Sequence, residues 1–283
     1  MATTTSTPSY PLLRERNLIL ATLLLLAAGA WALLVWQWAV MDDDMSLTMG
    51  MGAPLFIAIW VAMMIAMMFP TAAPMILMFA RVQENRQQQK RAHVPIWLFV
   101  SSYLLVWTVF GVVAYGFAVG AEELASRSAW LTDNAARIGG GVLIGAGLYQ
   151  LSPLKRSCLT KCRTPMAFIM TAWRDGRLGA FRMGLEHGLY CLGCCWMLFA
   201  ILFPLGIMNV GAMALITLLI FAEKSTPVGR QFASFASVAL VVYGALVVFM
   251  PELLPTFMDM DGSSGGMQDM GMPGGMDGME PMQ

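Results

Sequence analysis

The stretch "GLEHGLYCLGCCWM", residues 184–197, places His187 and three cysteines at the start of a long apolar run. On a helix turning about 100° per residue, with His187 at zero, Met183 lies at about −40°, Cys191 at about +40° and Cys194 at about −20°. Cys195 falls on the flank, at about +80°. Side chains at i, i+3 and i+4 converge, so this stripe has the form of a ligand wall. Thiolate and imidazole together suit Cu(I) or Zn(II). A single buried cysteine behaves as a small hydrophobe, but Cys191, Cys194 and Cys195 crowd into five positions beside a histidine. A second pair, Cys158 and Cys162 in "CLTKC", has i, i+4 spacing. Lys155, Arg156 and Lys161 are expected to lower those thiol pKa values and favour thiolate. With groups from residues 187–195 the pair would complete a trigonal or tetrahedral sulfur site. The alternative is two separate, reduced surface thiols. Glu186 and Tyr190 are candidates to orient the imidazole, and Glu186 reads equally as an arginine-paired charge at a helix start. His93 stands alone in a polar loop and reads as a solvated residue.

Methionine supplies a second soft donor. The chain has 26 of them. "MDDDMSLTMGMG" (41–52) and the tail, with Met267, Met270 and Met272, interleave methionine with aspartate and glycine. A thioether stays unprotonated and cannot form a disulfide, so it suits Cu(I) in an oxidising compartment; thiolate survives in a reducing one. These polar segments have no core for a methionine to fill. In "PLFIAIWVAMMIAMMFPTAAPMILMFA" (54–80), Met64 and Met68 stack at i, i+4, as do Met63 and Met67. Such a ladder would pass Cu(I) by ligand exchange; ordinary lipid-facing or core methionine is the competing reading.

These groups must be held by elements that the composition identifies. Of 283 residues, 58% are hydrophobic and 12% charged, against about 25% charged in soluble domains. The expected fold is all-α: a polytopic helical membrane protein with about seven transmembrane helices. The runs are Leu18–Val40, Pro54–Ala80, Ile96–Val119, Ile138–Leu151, Leu185–Met208, Val210–Ala222 and Phe232–Met250. The first is too long for a signal-peptide core and lacks a small-residue exit, so it reads as a retained helix. Pro70 and Pro74 are expected to break or kink the second. Gly141 and Gly145 offer a close-packing face on the fourth. Basic residues precede the first run and follow the second, fourth and sixth, which places the N-terminus inside and the C-terminus outside. Residues 1–17 are then a cytoplasmic segment, 18–250 the membrane domain, and 251–283 a disordered, Met-rich extracytoplasmic tail. All five cysteines fall on the inner side and both Met-rich segments on the outer.

Over roughly residues 55–250 the chain resembles a bacterial family of integral membrane proteins known as domain of unknown function 2182, described as predicted metal-binding. The resemblance is carried by "MMIAMMFPTAAPM" (63–75), "YQLSPLKRSCLTKCRTP" (149–165), "GLEHGLYCLGCCW" (184–196) and "EKSTPVG" (223–229). It implies a bound metal and carries over Cys158, Cys162, His187, Cys191, Cys194 and Cys195 as candidate ligands. The Met-rich tail lies outside the matched region.

Zero net charge argues against a nucleic-acid partner. Five clustered cysteines do not make a secreted disulfide framework. There is no Walker A signature and no acid/base constellation, so direct ATP-driven pumping and hydrolysis lack support. The expectation is a multi-pass protein of the bacterial inner (cytoplasmic) membrane that handles copper as Cu(I), with zinc as the alternative metal. Its outer methionines would collect the ion and its inner thiols would receive or sense it. Expected partners are the lipid bilayer and a periplasmic copper protein or membrane metalloenzyme, and the chain is open to oligomerisation. Two other readings stay open: a membrane thiol oxidoreductase using "CLGC" (191–194) as a C-x-x-C pair, and an assembly subunit that delivers metal to a partner enzyme.

Overall fold

A computed structural model describes residues 10–40, 47–48, 50–89 and 93–253. Met41, Met45, Met49, Met267, Met270 and Met272 lie outside the described residues, as does the tail beyond Leu253. Among the described residues all regular structure is helical. The elements are α1 (Tyr10–Val40), α2 (Ala53–Gln88), α3 (Ile96–Ser126), α4 (Ala129–Asp133), α5 (Ala135–Gln150), α6 (Pro153–Arg163), α7 (Pro165–Ala172), α8 (Gly176–Ala200), α9 (Leu202–Leu205), α10 (Val210–Ser225) and α11 (Gly229–Phe249).

Among the described residues five segments are long and apolar enough to cross a membrane: α1, α2, α3, α8 with α9, and α11. The other two apolar runs form α5 and α10, of 16 residues each. At 1.5 Å per residue each spans about 24 Å, short of a hydrocarbon core of about 30 Å.

Of the expected break or kink in the second run, the break does not occur. α2 continues through Pro70 and Pro74 for 36 residues. A proline removes the hydrogen bond to the carbonyl four residues back, and for Pro70 that carbonyl is Ala66. The Trp31 indole of α1 donates to the Ala66 carbonyl at 3.1 Å. The liberated acceptor is thus satisfied by the neighbouring helix.

Close approach of helices is set by glycine. α5 packs most extensively on α11. The contact uses Gly140 and Gly147, where an added Cβ would sit 2.8 Å from the Gly244 and Ser237 carbonyls respectively. The predicted Gly141 and Gly145 face is not the one used: Gly141 has open space around it, and Gly145 makes only ordinary contact with Met197. The contact face is set by glycines seven residues apart rather than the four expected. α3 lies against α8 through Gly184 and Gly188, whose added Cβ atoms would collide with Ser102 and Val106. This contact brings Phe99 and Tyr103 of α3 over the cysteine-bearing face of α8.

α6 starts at Pro153, with the Ser152 side chain accepting from the Lys155 amide at 3.1 Å. Proline fits there because the first-turn N–H has no helical partner to lose. α6 is held on two sides. Its Lys155 reaches Glu223 of α10 at 2.7 Å, and Arg163 donates to the Thr226 carbonyl at 2.6 Å.

Candidate metal centre

The stripe expected on residues 183–194 exists on α8. Met183, His187, Cys191, Cys194 and Cys195 are all buried. The Cys194 and Cys195 sulfurs are 3.2 Å apart, and the Cys194 thiol donates to the Cys191 carbonyl at 3.2 Å. From α6, Cys162 packs against the buried core that holds Cys191 and Cys194. Cys158 takes a different place, lying over Gly193, where an added Cβ would meet its Sγ at 2.8 Å. Two segments distant in sequence therefore share one thiol cluster. All five cysteines are free.

The expectation of lowered pKa values in "CLTKC" is reversed. The interaction with the Cys191 thiol, with burial added, holds the Cys162 thiol well above its ordinary value. Burial pushes the Cys158 thiol up as well. The physical reason is that Lys155 does not face the thiols. It is turned inward to Glu223, with both side chains 1% exposed, and Glu223 also accepts from Gln150 at 3.0 Å.

His187 sits in an aromatic box. Its ring is 5.6 Å from Tyr103 and 6.0 Å from Phe99, both stacked, and 5.6 Å from Phe168, edge-on. Its Nδ1 is buried with no hydrogen-bond partner among the described residues. Glu186 does not orient this imidazole: it pairs with Arg174 at 3.3 Å and Arg182 at 3.7 Å. Tyr190 packs its ring on Phe168.

Two groups that sequence reading left out complete the centre. The Tyr103 hydroxyl and the Cys191 sulfur are 3.2 Å apart. The Lys224 ammonium donates to the Cys191 sulfur at 3.1 Å and lies 3.5 Å from the Thr71 hydroxyl of α2. Met64, Met68, Thr71 and Met75 recur at i, i+4, i+7 and i+11, so they occupy one face of α2. Thr71 places that face toward the thiols. Met63, Met64, Met67 and Met68 are all at most 1% exposed, so none of the four is a lipid-facing methionine.

Among the described residues no three His, Cys, Asp or Glu side chains form a ready-made metal cage. A separate cavity of about 600 Å³ lies between α1, α2 and the start of α3, bordered by Arg16, Arg81 and His93; no cysteine lines it.

The fold and the site thus define an all-helical protein with membrane-length apolar helices and a buried cluster of thiols. Residues 57–247 match the family model described as copper chaperone, PpoB2, and the chain belongs to that family. The match specifies copper, where the resemblance implied only a metal. No curated protein and no solved structure matches the chain.

Proposed function

We propose that the chain is a multi-pass inner-membrane copper chaperone. It holds Cu(I) as cargo at a centre built from Cys162, Cys191, Cys194 and Cys195 and exchanges it, by way of the α2 methionines, with a periplasmic copper protein or membrane metalloenzyme. The observation that carries this reading is the burial of Cys191, Cys194 and Cys195 together on α8, with the Cys194 and Cys195 sulfurs 3.2 Å apart and Cys162 of α6 packed against the same core. Soft sulfur donors favour Cu(I). His187 adds an imidazole nitrogen with no partner to give up. An open cluster rather than a closed cage suits a carrier, because a low-coordinate ion leaves by ligand exchange. Met64 and Met68, on the face of α2 that meets Lys224, are the proposed approach to the thiols. Cys158, packed on Gly193, is placed as a relay ligand at the rim.

In this reading α5 and α10 are two further spans, accommodated by local thinning of the bilayer. The basic loops then keep the thiols on the cytoplasmic side and the Met-rich tail outside.

Elemental analysis of protein loaded with Cu(I) under reductant tests the reading. The intact chain should carry copper, truncation after residue 257 should remove part of it, and Cys191→Ser a separate part. An intact chain with no copper above background would refute it.

A further inference from the structure

We infer that Lys224 is the fixed counter-charge of the Cu(I) centre and makes it selective for a monovalent ion. This rests on the copper-carrier reading above. Cu(I) held by two thiolates carries a net charge of −1, and burying an unpaired charge is costly. A cation is already in place. The Lys224 ammonium is 3.1 Å from the Cys191 sulfur and 3.5 Å from the Thr71 hydroxyl.

The neighbouring carboxylate does not claim that charge. Glu223 is held by Lys155 at 2.7 Å and by Gln150 at 3.0 Å. Among the described residues Lys224 has no carboxylate within ion-pair distance. The Lys155–Glu223 pair is neutral in itself, so the surplus positive charge beside the cysteines is that of Lys224. The Thr71 contact and the donation to Cys191 fix the position of the ammonium. A metal-bound thiolate keeps lone pairs that accept from a lysine, so the contact is compatible with a loaded site.

The charge sum gives the selectivity. With Lys224, a dithiolate holding Cu(I) totals zero, whereas the same pair holding Zn(II) totals +1. Removing the lysine shifts the charge sum toward Zn(II): Cu(I) then leaves −1 and Zn(II) leaves zero.

The test measures Cu(I) affinity by competition with a chromophoric Cu(I) chelator, and Zn(II) affinity by competition with a zinc dye. Both use full-length protein in detergent as wild type, Lys224→Met and Lys224→Arg. The expected result is that Lys224→Met weakens Cu(I) binding by about tenfold or more and leaves Zn(II) binding unchanged or tighter. Lys224→Arg should keep the wild-type order. Equal loss of both metals in Lys224→Met would show a merely structural lysine and overturn the inference. Unchanged or tighter Cu(I) binding would overturn it too, showing that the ammonium only fills the empty site. Wild-type protein that binds no Cu(I) at all would instead remove the carrier reading on which the inference stands.

Discussion

Lys155 of α6 and Glu223 of α10 meet at 2.7 Å with both side chains 1% exposed. The pair joins the helix that carries Cys158 and Cys162 to the helix that carries Lys224. Removing one partner leaves an uncompensated buried charge. Lys155→Met or Glu223→Gln should therefore destabilise the chain by about 3–5 kcal/mol. Thermal unfolding in detergent measures this, and faster alkylation of Cys158 should accompany it as α6 loosens. Single variants that unfold at the wild-type temperature would show that the pair does not hold α6 in place.

Gly193 gives a second, local test. A Cβ there would press on the Cys158 sulfur at 2.8 Å. Gly193→Ala should cost about 1–3 kcal/mol through overpacking. Adding Cys158→Ala should recover most of that loss, because the obstruction is the end of one side chain. At Gly184 the added Cβ also meets the Phe99 carbonyl of α3. Gly184→Ala should find no such single-residue rescue. Thermal melts of the two single variants and the double variant decide the matter.

The α2 methionines separate packing from transfer. Met64 and Met68 are each 0% exposed. Leucine replaces methionine at nearly equal volume, at a cost below about 1.5 kcal/mol, but it removes the thioether. The Met64→Leu, Met68→Leu double variant should melt close to wild type and load Cu(I) more slowly in stopped-flow transfer from a Cu(I) donor complex. A wild-type loading rate would assign both residues to packing alone.

Much of this was legible from spacing. The α8 stripe follows from the positions of Met183, His187, Cys191 and Cys194 on one helical period, and hydropathy marked every long helix. Other features needed tertiary structure. Pro70 reads as a break or a kink, and the sequence does not reveal that the Trp31 indole takes the liberated Ala66 carbonyl and the helix runs on. Lys155 and Lys224 look alike as basic residues near helix ends, yet one is buried against Glu223 and the other faces Cys191. Tyr103 carries no signal of its own. Its place over His187 and Cys191 comes from the glycine-mediated approach of α3 to α8.

Sidedness yields a further prediction. Impermeant maleimide applied to sealed inner-membrane vesicles of known orientation should reach Cys158 from the cytoplasmic face. A single cysteine placed in the tail at Ser264, in a chain lacking the native five, should react from the opposite face. Reaction of both from the same face would contradict the separation of thiols from tail methionines.

The most direct measurement of the central claim is X-ray absorption at the copper edge on Cu(I)-loaded, full-length protein and its Cys191→Ser variant. The account predicts a first shell dominated by sulfur in the wild type, with sulfur scattering lost in the variant. A first shell of nitrogen and oxygen, or a spectrum that Cys191→Ser leaves unchanged, would contradict it.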